Sequence, residues 1–411
     1  MLGFGDTYSL MRHILRVMAS PKRARNPSLS PKTVVCVLFT ALFGTVLPGL
    51  AEANLHRYIL YVGTYSVRGS RGIYAYDFDG KTGVLSPLGL KAKSTNPSFV
   101  ILSPDGRVLY AVTEVAEYKG QSSGAIQAYQ VDAKTGDLKL MSEVASGGAG
   151  PCYLAFDKTK SFLLTANYGG GSVAVFPLRA GGKIGEASGF VQHHGSGLNP
   201  ERQDKPHPHA IETTPDNRFA IAADLGLDQL LVYKFDSNNG RLSPSDPRFA
   251  KVHGGSGPRH FAFHPNRQFL YLVNEIDSSV SVFAYDPQGT LVEKQTITAL
   301  PKGFTGQSDA SDIEVDASGS YLYVSNRGAD TITVFGIDPE GAMLTLIETV
   351  PSSGKTPRFT IDPSGQFMLV GNENSDNVVV FHIDRKSGRL TKISEIAHVI
   401  SPIGFAFLEA R

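Results

Sequence analysis

The sequence is poor in cysteine, in long apolar runs and in excess charge of either sign. It has 2 cysteines in 411 residues. Loss of Cys36 with the N-terminal segment described below leaves Cys152 alone, which excludes an internal disulfide. The apolar run at residues 34–47 is too short for a comfortable membrane span, so no stable insertion in a membrane is expected.

The charge balance does not point to a polyanionic partner. The sequence has 39 Lys and Arg and 38 Asp and Glu residues, of which six basic and two acidic residues lie in residues 1–53. The remaining chain therefore carries a net charge of about −3. We expect no nucleic-acid partner for a chain without an excess of basic residues.

The first 53 residues have the order of a secretory signal. Basic residues between positions 22 and 32 precede the apolar run at 34–47, and the small-residue site Ala51-Glu52-Ala53 follows it. This order is typical of a cleaved signal peptide, and an uncleaved anchor is the alternative. We interpret residues 1–53 as a targeting segment and expect residues 54–411 to be periplasmic or secreted. Without a working signal they would be cytoplasmic.

Glycine and proline are abundant, and they indicate how the chain folds. The sequence has 43 Gly, 24 Pro and 41% hydrophobic residues. This composition is typical of a large core with many tight turns rather than long helices. We therefore expect a globular, all-β protein.

A hairpin pattern recurs along the chain. In each copy a small or proline residue opens an apolar strand, a turn of the Pro-Asp-Gly kind follows, and a second apolar strand ends in Asn, Asp or Thr. Turn residues of these types supply the backbone angles that a reversal needs, and β-branched and aromatic residues favour strands. Six copies lie at residues 96–114, 150–168, 207–225, 257–275, 310–327 and 356–373.

A second hairpin follows each first one, and there are seven of these. They begin at residues 72, 124, 172, 229, 279, 331 and 377. The seventh first hairpin is divided between the chain ends, with its entrance strand at 401–409 and its exit strand at 57–65. One C-terminal and three N-terminal strands therefore share a sheet and close a ring, which removes the free edges.

This arrangement predicts a seven-bladed β-propeller with four strands per blade. The residues that end the first hairpins are 46 to 57 positions apart, a spacing that suits a four-stranded blade with its loops. A stack of β-sandwiches is the alternative, but sandwiches do not require a constant period. We assign the propeller to residues 54–411.

The two free ends of each first hairpin point to the same rim of the ring, so the residues there line one mouth of the central channel. Aligned on the turns, the entrance residues are Ser98, Cys152, His209, Arg259, Ser311, Pro357 and Ile403. The exit residues, one past each second strand, are Glu114, Tyr168, Leu225, Glu275, Arg327, Glu373 and Tyr65. Features needed for the fold recur in every blade, so residues peculiar to one blade are better candidates for function.

Four residues of this kind come from three consecutive blades. They are His209, Arg259, Glu275 and Arg327. Taken singly, His209 could be a hydrogen-bonded surface histidine, and Arg259 with Glu275 could be a structural ion pair between strand ends. Their convergence on one mouth favours a functional site.

Several motifs, in order along the chain, resemble one enzyme family. They are YVGTY, PHPHA, GPRHFAFHP, YLVNE, VSNRG and PRFTIDPSG. From residue 57 to residue 409 the chain resembles the propeller-type 6-phosphogluconolactonases, a lactonase family related to fungal carboxymuconate lactonizing enzymes. The resemblance implies a lactone hydrolase of carbohydrate metabolism, acting in the pentose phosphate pathway.

The resemblance also implies roles for the site residues. The family's proposed active-site groups correspond here to His209, Arg259 and Glu275 as catalytic residues. Arg327 is implied to bind an anionic part of the substrate, and we add His207 and His260, from the same motifs, as substrate-binding residues. A neutral imidazole can take a proton from an attacking water, and guanidinium groups can stabilise an oxyanion. We expect no metal, no cofactor, and a monomer whose partner is a small-molecule lactone.

The export signal departs from what the family implies, because the family's substrate is a phosphorylated cytosolic metabolite. An unphosphorylated sugar lactone or a carboxylated lactone would be easier to meet outside the inner membrane, and fold alone does not fix the substrate. Two other functions stay open. One is a muconate-type lactonizing cycloisomerase that uses His209 or Glu275 to move a proton, and the other is a non-catalytic propeller that binds a protein, peptide or glycan.

Two sequence features that could indicate a nucleophile carry less weight than the four channel residues. The segment GQSSG at 120–124 matches the nucleophile elbow of serine hydrolases, but that motif needs a strand-to-helix turn and Ser122 lies between two predicted strands. Cys152 has a channel position, but its own blade offers no entrance base. We therefore interpret Cys152 as a packing residue.

The long insertion at 191–209 contains four histidines, His193, His194, His207 and His209. They could bind a divalent metal, but no spacing of a recognised site is present. We interpret the insertion as a flexible lid over the channel mouth that brings Arg202 and Lys205 near an anionic substrate.

Overall fold

The computed structural model describes residues 56–409, which form 28 β-strands and one short 3-10 turn at Ala180–Gly182. The strands make seven sheets of four antiparallel strands each, so the predicted four-stranded blades are confirmed. Within these residues no helix is long and apolar enough to cross a membrane. The targeting segment expected at 1–53 lies outside the described residues.

The strands are numbered in chain order, and each blade is described from its innermost strand outward. Blades 1 to 3 consist of β28 Pro402–Glu409, β1 Arg57–Thr64, β2 Gly72–Asp79 and β3 Val84–Lys93; β4 Val100–Leu102, β5 Val108–Thr113, β6 Ala125–Val131 and β7 Leu138–Ala145; and β8 Pro151–Phe156, β9 Phe162–Asn167, β10 Ser172–Pro177 and β11 Gly189–Gln192.

Blades 4 to 7 follow in the same order. They consist of β12 Pro208–Thr213, β13 Phe219–Asp224, β14 Gln229–Asp236 and β15 Arg241–Lys251; β16 Pro258–Phe263, β17 Phe269–Asn274, β18 Ser279–Tyr285 and β19 Leu291–Thr298; β20 Asp309–Val315, β21 Tyr321–Arg327, β22 Thr331–Ile337 and β23 Leu344–Pro351; and β24 Pro357–Ile361, β25 Phe367–Asn372, β26 Asn377–Ile383 and β27 Leu390–Ala397.

The ring is closed by strands from both chain ends, as predicted. Strand β28 pairs with β1 in antiparallel register, with Ala406 opposite Tyr61. Each innermost strand also contacts the innermost strand of the next blade, from β28 and β4 round to β24 and β28. The inner edge of every sheet is therefore covered by its neighbours around the channel.

The second strand of each blade forms the centre of the core. Every residue of β5, β9, β13 and β25 is buried. These strands are apolar on both faces because a blade is stacked between two neighbouring blades. The outermost strands are more exposed, as in β19, where Leu291 alone is buried.

A buried tyrosine ties several blades to the next one. Tyr61 and Tyr323 are fully buried, and their hydroxyls donate to the carbonyls of Gly136 and Gly388, each at 3.0 Å. The accepting residue lies in the outer hairpin turn of the following blade. A buried tyrosine needs a partner for its hydroxyl, so the recurring tyrosine is explained by contact between blades.

The asparagines that end the second strands are also structural. Asn326 is fully buried, and its side-chain amide donates to the carbonyl of Ala299 at 3.0 Å and to the hydroxyl of Thr331 at 3.2 Å. Asn167 makes the corresponding contacts with Ser146 and Ser172. The interpretation of the recurring Asn residues as architecture therefore fits the geometry.

The register of the first hairpins brings entrance and exit residues together. Asn274 is paired with Pro258, and Asn372 with Pro357. Five of the innermost strands, β8, β12, β16, β20 and β28, have a register shift next to the entrance, whereas β24 pairs with β25 without one. A bulge adds one residue to a strand, and this difference decides which residue of β24 faces the channel.

Candidate active site

A cavity of about 210 Å³ lies at the mouth of the channel where the first hairpins begin and end. All predicted entrance and exit residues line it except Pro357 and Leu225, and Thr356 and Arg358 line it in addition. The prediction that both hairpin ends meet at one mouth is therefore matched by the geometry.

The two exceptions have physical reasons. Counting back from the turn places Pro357 at the entrance. Because β24 lacks the bulge of β8, β12, β16, β20 and β28, Arg358 takes the channel position instead. Leu225 is fully buried and does not line the cavity. The dipeptide Pro-Arg, present in both GPRH and TPRF, is the sequence signal that could have identified Arg358.

Glu275 is the centre of the site because three guanidinium groups meet its carboxylate. Arg259 donates from Nε to Oε2 at 2.8 Å, and Nη2 of Arg327 lies 3.0 Å from the same oxygen. Arg202 donates to the other oxygen, Oε1. Burial alone favours the protonated form, but the three cations outweigh it and lower the pKa of Glu275 to about 2. Glu275 is therefore ionised at neutral pH.

Arg259 lies deepest of the three arginines. Its side chain is 5% exposed, and it also donates to the backbone carbonyl of Ser311. Burial, followed by the neighbouring charge of Arg327, lowers the pKa of Arg259 to about 10. Arg259 therefore remains a cation at neutral pH while having few water molecules around it, which suits an oxyanion-binding group.

His209 faces the cavity between four neighbours. Its Nε2 lies 4.0 Å from Oε2 of Glu275, and its Nδ1 lies 3.6 Å from Sγ of Cys152. The edges of its ring meet Tyr168 at 5.4 Å and His260 at 5.0 Å between centroids. Burial, then the charge of Arg259, lowers the pKa of His209 well below its usual value of 6.5. The imidazole is therefore neutral at neutral pH.

A polar layer closes the cavity on its inner side. Nδ1 of His260 lies 3.0 Å from Oδ1 of Asp312, and Arg358 donates from Nε to Oδ2 of the same residue at 3.2 Å. Burial and then Arg259 lower the pKa of His260 to about 3. Beyond this layer, on the turn side of the channel, lies a second cavity of about 440 Å³ that His260, Asp312 and Arg358 also line.

Two predicted substrate-binding residues lie behind the wall of the site. His260 belongs to the polar layer and lines the second cavity. The ring of His207 stacks on Tyr168 at 4.5 Å, and its Nδ1 lies 3.0 Å from the carbonyl oxygen of Tyr168. Because neither side chain lines the mouth cavity, the expectation of direct substrate contact does not fit this geometry. They pack against His209 and Tyr168 instead.

The histidine-rich insertion is anchored at His193. We call residues 193–207 the strap. Nδ1 of His193 lies 2.6 Å from Oδ2 of Asp224, and its Nε2 lies 2.8 Å from the hydroxyl of Tyr233. Both partners are buried. Within residues 56–409 no group of three or more His, Cys, Asp or Glu side chains is arranged to hold a metal ion. These contacts hold His193 against blade 4, so a flexible lid remains a prediction only for the other residues of the strap.

Two further acidic residues, Glu114 and Glu373, line the cavity. No role was predicted for them from the sequence. Glu114 accepts hydrogen bonds from the hydroxyls of Ser98 and, at 3.2 Å, of Tyr65. Burial raises the pKa of Glu114, and burial likewise raises the pKa of Glu373. Such carboxyl groups can accept or donate hydrogen bonds to hydroxyl groups of a bound molecule.

The fold and this site define a seven-bladed β-propeller with a charged small-molecule cavity at one mouth of its channel. Residues 59–407 match the family described as "Lactonase, 7-bladed beta-propeller". The chain belongs to that family.

Named relatives and solved structures agree with this assignment. The chain is 37% identical to the 6-phosphogluconolactonase of Bacillus subtilis (strain 168) over 304 residues, which is 74% of this chain and 84% of the relative. It is 36% identical over 305 residues to the 6-phosphogluconolactonase of Formosa agariphila, covering 73% and 84% of the two chains. The structure of the Pseudomonas aeruginosa periplasmic gluconolactonase PpgL superposes with a TM-score of 0.81 at 35% identity, covering 86% of this chain and 100% of that one.

Proposed function

We propose that this protein hydrolyses a small anionic sugar lactone to its hydroxy acid in the mouth cavity. The observation that carries the proposal is the meeting of a neutral histidine, His209, with Glu275 and its arginines in one cavity. The names of the relatives, 6-phosphogluconolactonase and gluconolactonase, support the same reaction.

In this proposal His209 is the general base. Water attacks the lactone carbonyl carbon while Nε2 of His209 accepts a proton from it. A lowered pKa makes the imidazole a weaker base, but it keeps the ring neutral, and a lactone is already an activated ester. The imidazolium then returns the proton to the ring oxygen as the ring C–O bond breaks, so the base is regenerated.

Arg259 and Glu275 support this step in different ways. Arg259 is a buried cation beside His209, and it stabilises the negative charge that forms on the carbonyl oxygen. Glu275 stays ionised through the reaction, because the arginines around it hold its pKa at about 2. Its role is to orient the guanidinium groups rather than to exchange a proton.

The remaining cavity residues suit the hydroxyl groups of a sugar. Glu114 and Glu373 have raised pKa values because of burial, and Ser98 and Tyr65 supply hydroxyls beside Glu114. Groups that both donate and accept hydrogen bonds can pair with a polyol, whose hydroxyls do the same. Arg327, whose side chain is 26% exposed, binds the anionic part of the substrate.

We also propose that residues 1–53 direct export and that residues 54–411 act as a monomer outside the inner membrane. The basic, apolar and small-residue order of the N-terminus supports export. The structural relative named as a periplasmic gluconolactonase supports the same location. A sugar lactone that carries a carboxylate and no phosphate is the anionic substrate that fits this location.

A pH-indicator assay of acid release tests the proposed function. The protein is expressed with its natural N-terminus and assayed on neutral, carboxylated and phosphorylated sugar lactones, with spontaneous hydrolysis subtracted. His209→Ala should lose at least a hundredfold in kcat, whereas His382→Ala, at an exposed position of β26, should match the wild type. No turnover on any lactone would favour a cycloisomerase or a binding propeller, whereas turnover at equal rates in His209→Ala would refute the role of His209 as the base.

A further inference from the structure

Arg202 reaches the site from the strap and not from a blade strand. Its Nη1 donates to Oδ1 of Asp309 at 3.1 Å, and its Nη2 donates to Oε1 of Glu275. The Arg202 side chain is 33% exposed, whereas that of Glu275 is 5% exposed. Arg202 is not itself among the residues that line the mouth cavity. It covers the solvent side of Glu275, which does line the cavity.

The neighbouring residue fixes the strap at this point. Gln203 is fully buried, and its side-chain amide donates to the carbonyl of Leu225 at 2.8 Å and to Oδ1 of Asp228 at 2.7 Å. Its Oε1 accepts a hydrogen bond from the backbone N–H of Asn199 at 2.9 Å. Because the backbone beside Arg202 is held in this way, the guanidinium is preorganised at the mouth.

The charges around Glu275 do not cancel. Arg202, Arg259 and Arg327 surround the carboxylate, and Asp309 is the second carboxylate in contact with Arg202. In this cluster the three arginines outnumber by one the two carboxylates that they contact. Arg202 and Arg327 are the two more exposed cations, and they contact different oxygens of the same carboxylate, so one anion can reach both.

This inference rests on the proposed function and deepens it. We propose that Arg202 is a specificity-determining residue that, together with Arg327, binds an anionic substituent of the lactone. Guanidinium groups bind phosphate monoesters and carboxylates in the same bidentate way, so the shared chemistry is an oxyanion on the side chain of the sugar. When the anionic substituent binds, Nη2 of Arg202 donates to it instead of to Glu275. Glu275 keeps its bonds to Arg259 and Arg327.

The difference in exposure between His209, Arg259 and Arg202 determines the orientation of the substrate. His209 is 12% exposed and Arg259 is 5% exposed, whereas Arg202 is 33% exposed. A charged substituent loses least hydration at the outer end of the cavity. The lactone ring therefore lies inward against His209 and Arg259, and the anion lies outward under the strap.

Steady-state kinetics of Arg202→Gln tests this inference with three substrates. They are glucono-1,5-lactone, which is neutral, glucaro-1,4-lactone, which carries a carboxylate, and 6-phosphoglucono-1,5-lactone. We expect kcat/KM for the charged lactones to fall by roughly tenfold or more, mainly through KM, because charge-assisted hydrogen bonds are lost. For the neutral lactone the change should stay within about threefold. The two charged substrates show which oxyanion the mouth prefers.

A matched control variant removes one arginine charge at a position outside the site. Arg218 is an exposed arginine whose Nε lies 3.6 Å from Oδ2 of Asp216 in the turn between β12 and β13. Arg218→Gln should leave all three substrates unchanged. A loss of the same size in Arg218→Gln would show a general effect of net charge and would overturn the inference. An equal loss on neutral and charged lactones in Arg202→Gln would also overturn it, because Arg202 would then act by positioning Glu275.

Calorimetric binding of inorganic phosphate separates this inference from the proposed reaction. The wild type should bind phosphate at least about fivefold more tightly than Arg202→Gln. If no lactone is hydrolysed but phosphate binding depends on Arg202, the proposed function fails and the anion site stands. If lactones are hydrolysed while phosphate binding and substrate preference are the same in wild type and Arg202→Gln, the reaction stands and the role of Arg202 is refuted.

Discussion

Sγ of Cys152 lies 3.6 Å from Nδ1 of His209, although the two residues belong to neighbouring blades. Burial raises the pKa of Cys152 far above its usual value, so the group is a neutral thiol. A thiol can either donate to Nδ1 or accept from it. The proposed base requires the tautomer with hydrogen on Nδ1, in which Sγ of Cys152 accepts from Nδ1 and the lone pair of Nε2 faces the cavity. The interpretation of Cys152 as mere packing missed this contact.

Replacement of Cys152 tests the contact. Cys152→Ala should lower kcat by roughly tenfold, in the range found when a residue that orients a histidine is removed. Cys152→Ser, which keeps a polar partner, should stay within about threefold of the wild type. The tautomer of His209 can be followed by the nitrogen chemical shifts of the imidazole. Unchanged kcat and unchanged shifts in Cys152→Ala would refute the role.

The pH dependence of kcat/KM should reflect the lowered pKa of His209. The base acts when neutral, so activity is lost as the pH falls through the pKa in the folded protein. Because burial and Arg259 hold this pKa well below 6.5, activity should be constant from neutral pH to well below pH 6.5. An acid limb with a midpoint near 6.5 would contradict the prediction. Arg259→Gln removes the second cause of the lowered pKa of His209, so the acid limb of the pH profile should move toward higher pH.

Glu275→Gln should damage both activity and stability. It leaves three guanidinium groups without their shared carboxylate, and breaking a buried ion pair on one side costs about 3–5 kcal/mol. For a chain of this size the expected fall in Tm is roughly 4–7 °C. Differential scanning calorimetry at pH 7 measures it, with Asp309→Asn at a more exposed position as the comparison. A Tm within 1 °C of the wild type would show that the arginines are satisfied without Glu275.

The same carboxylate predicts how stability changes with pH. The pKa of Glu275 is lowered from about 4.5 in the unfolded chain to about 2 in the folded protein. Its contribution to stability is therefore fully present above pH 4.5 and is lost as the pH falls toward 2. Between pH 5 and pH 3 the Tm of the wild type should fall more steeply than that of Glu275→Gln. Parallel Tm curves for the two proteins would contradict the assignment.

Tyr323→Phe should affect stability without affecting catalysis. The change leaves the carbonyl of Gly388 without the hydroxyl that donates to it at 3.0 Å between blades 6 and 7. The expected cost in unfolding free energy is about 1–2 kcal/mol, measured by urea denaturation, with kcat unchanged. A loss of activity at unchanged stability would mean that the blade contact is coupled to the site.

The sequence by itself was sufficient for the architecture. Seven copies of two hairpins predicted the number of blades and the ring closed by β28 and β1, because each hairpin is encoded locally and repeated. The prediction that hairpin ends meet at one mouth followed from the same topology. His209, Arg259, Glu275 and Arg327 could be selected because they interrupt a repeat.

Only the tertiary structure decided how these residues act. The missing bulge in β24 put Arg358 rather than Pro357 in the channel, and a bulge depends on pairing and not on the local pattern. Arg202 meets Glu275, 73 positions away in sequence, through the packing of the strap. The neutral His209 and the ionised Glu275 arise from burial and from charged residues that are distant in the sequence. These are long-range effects, and no repeat encodes them.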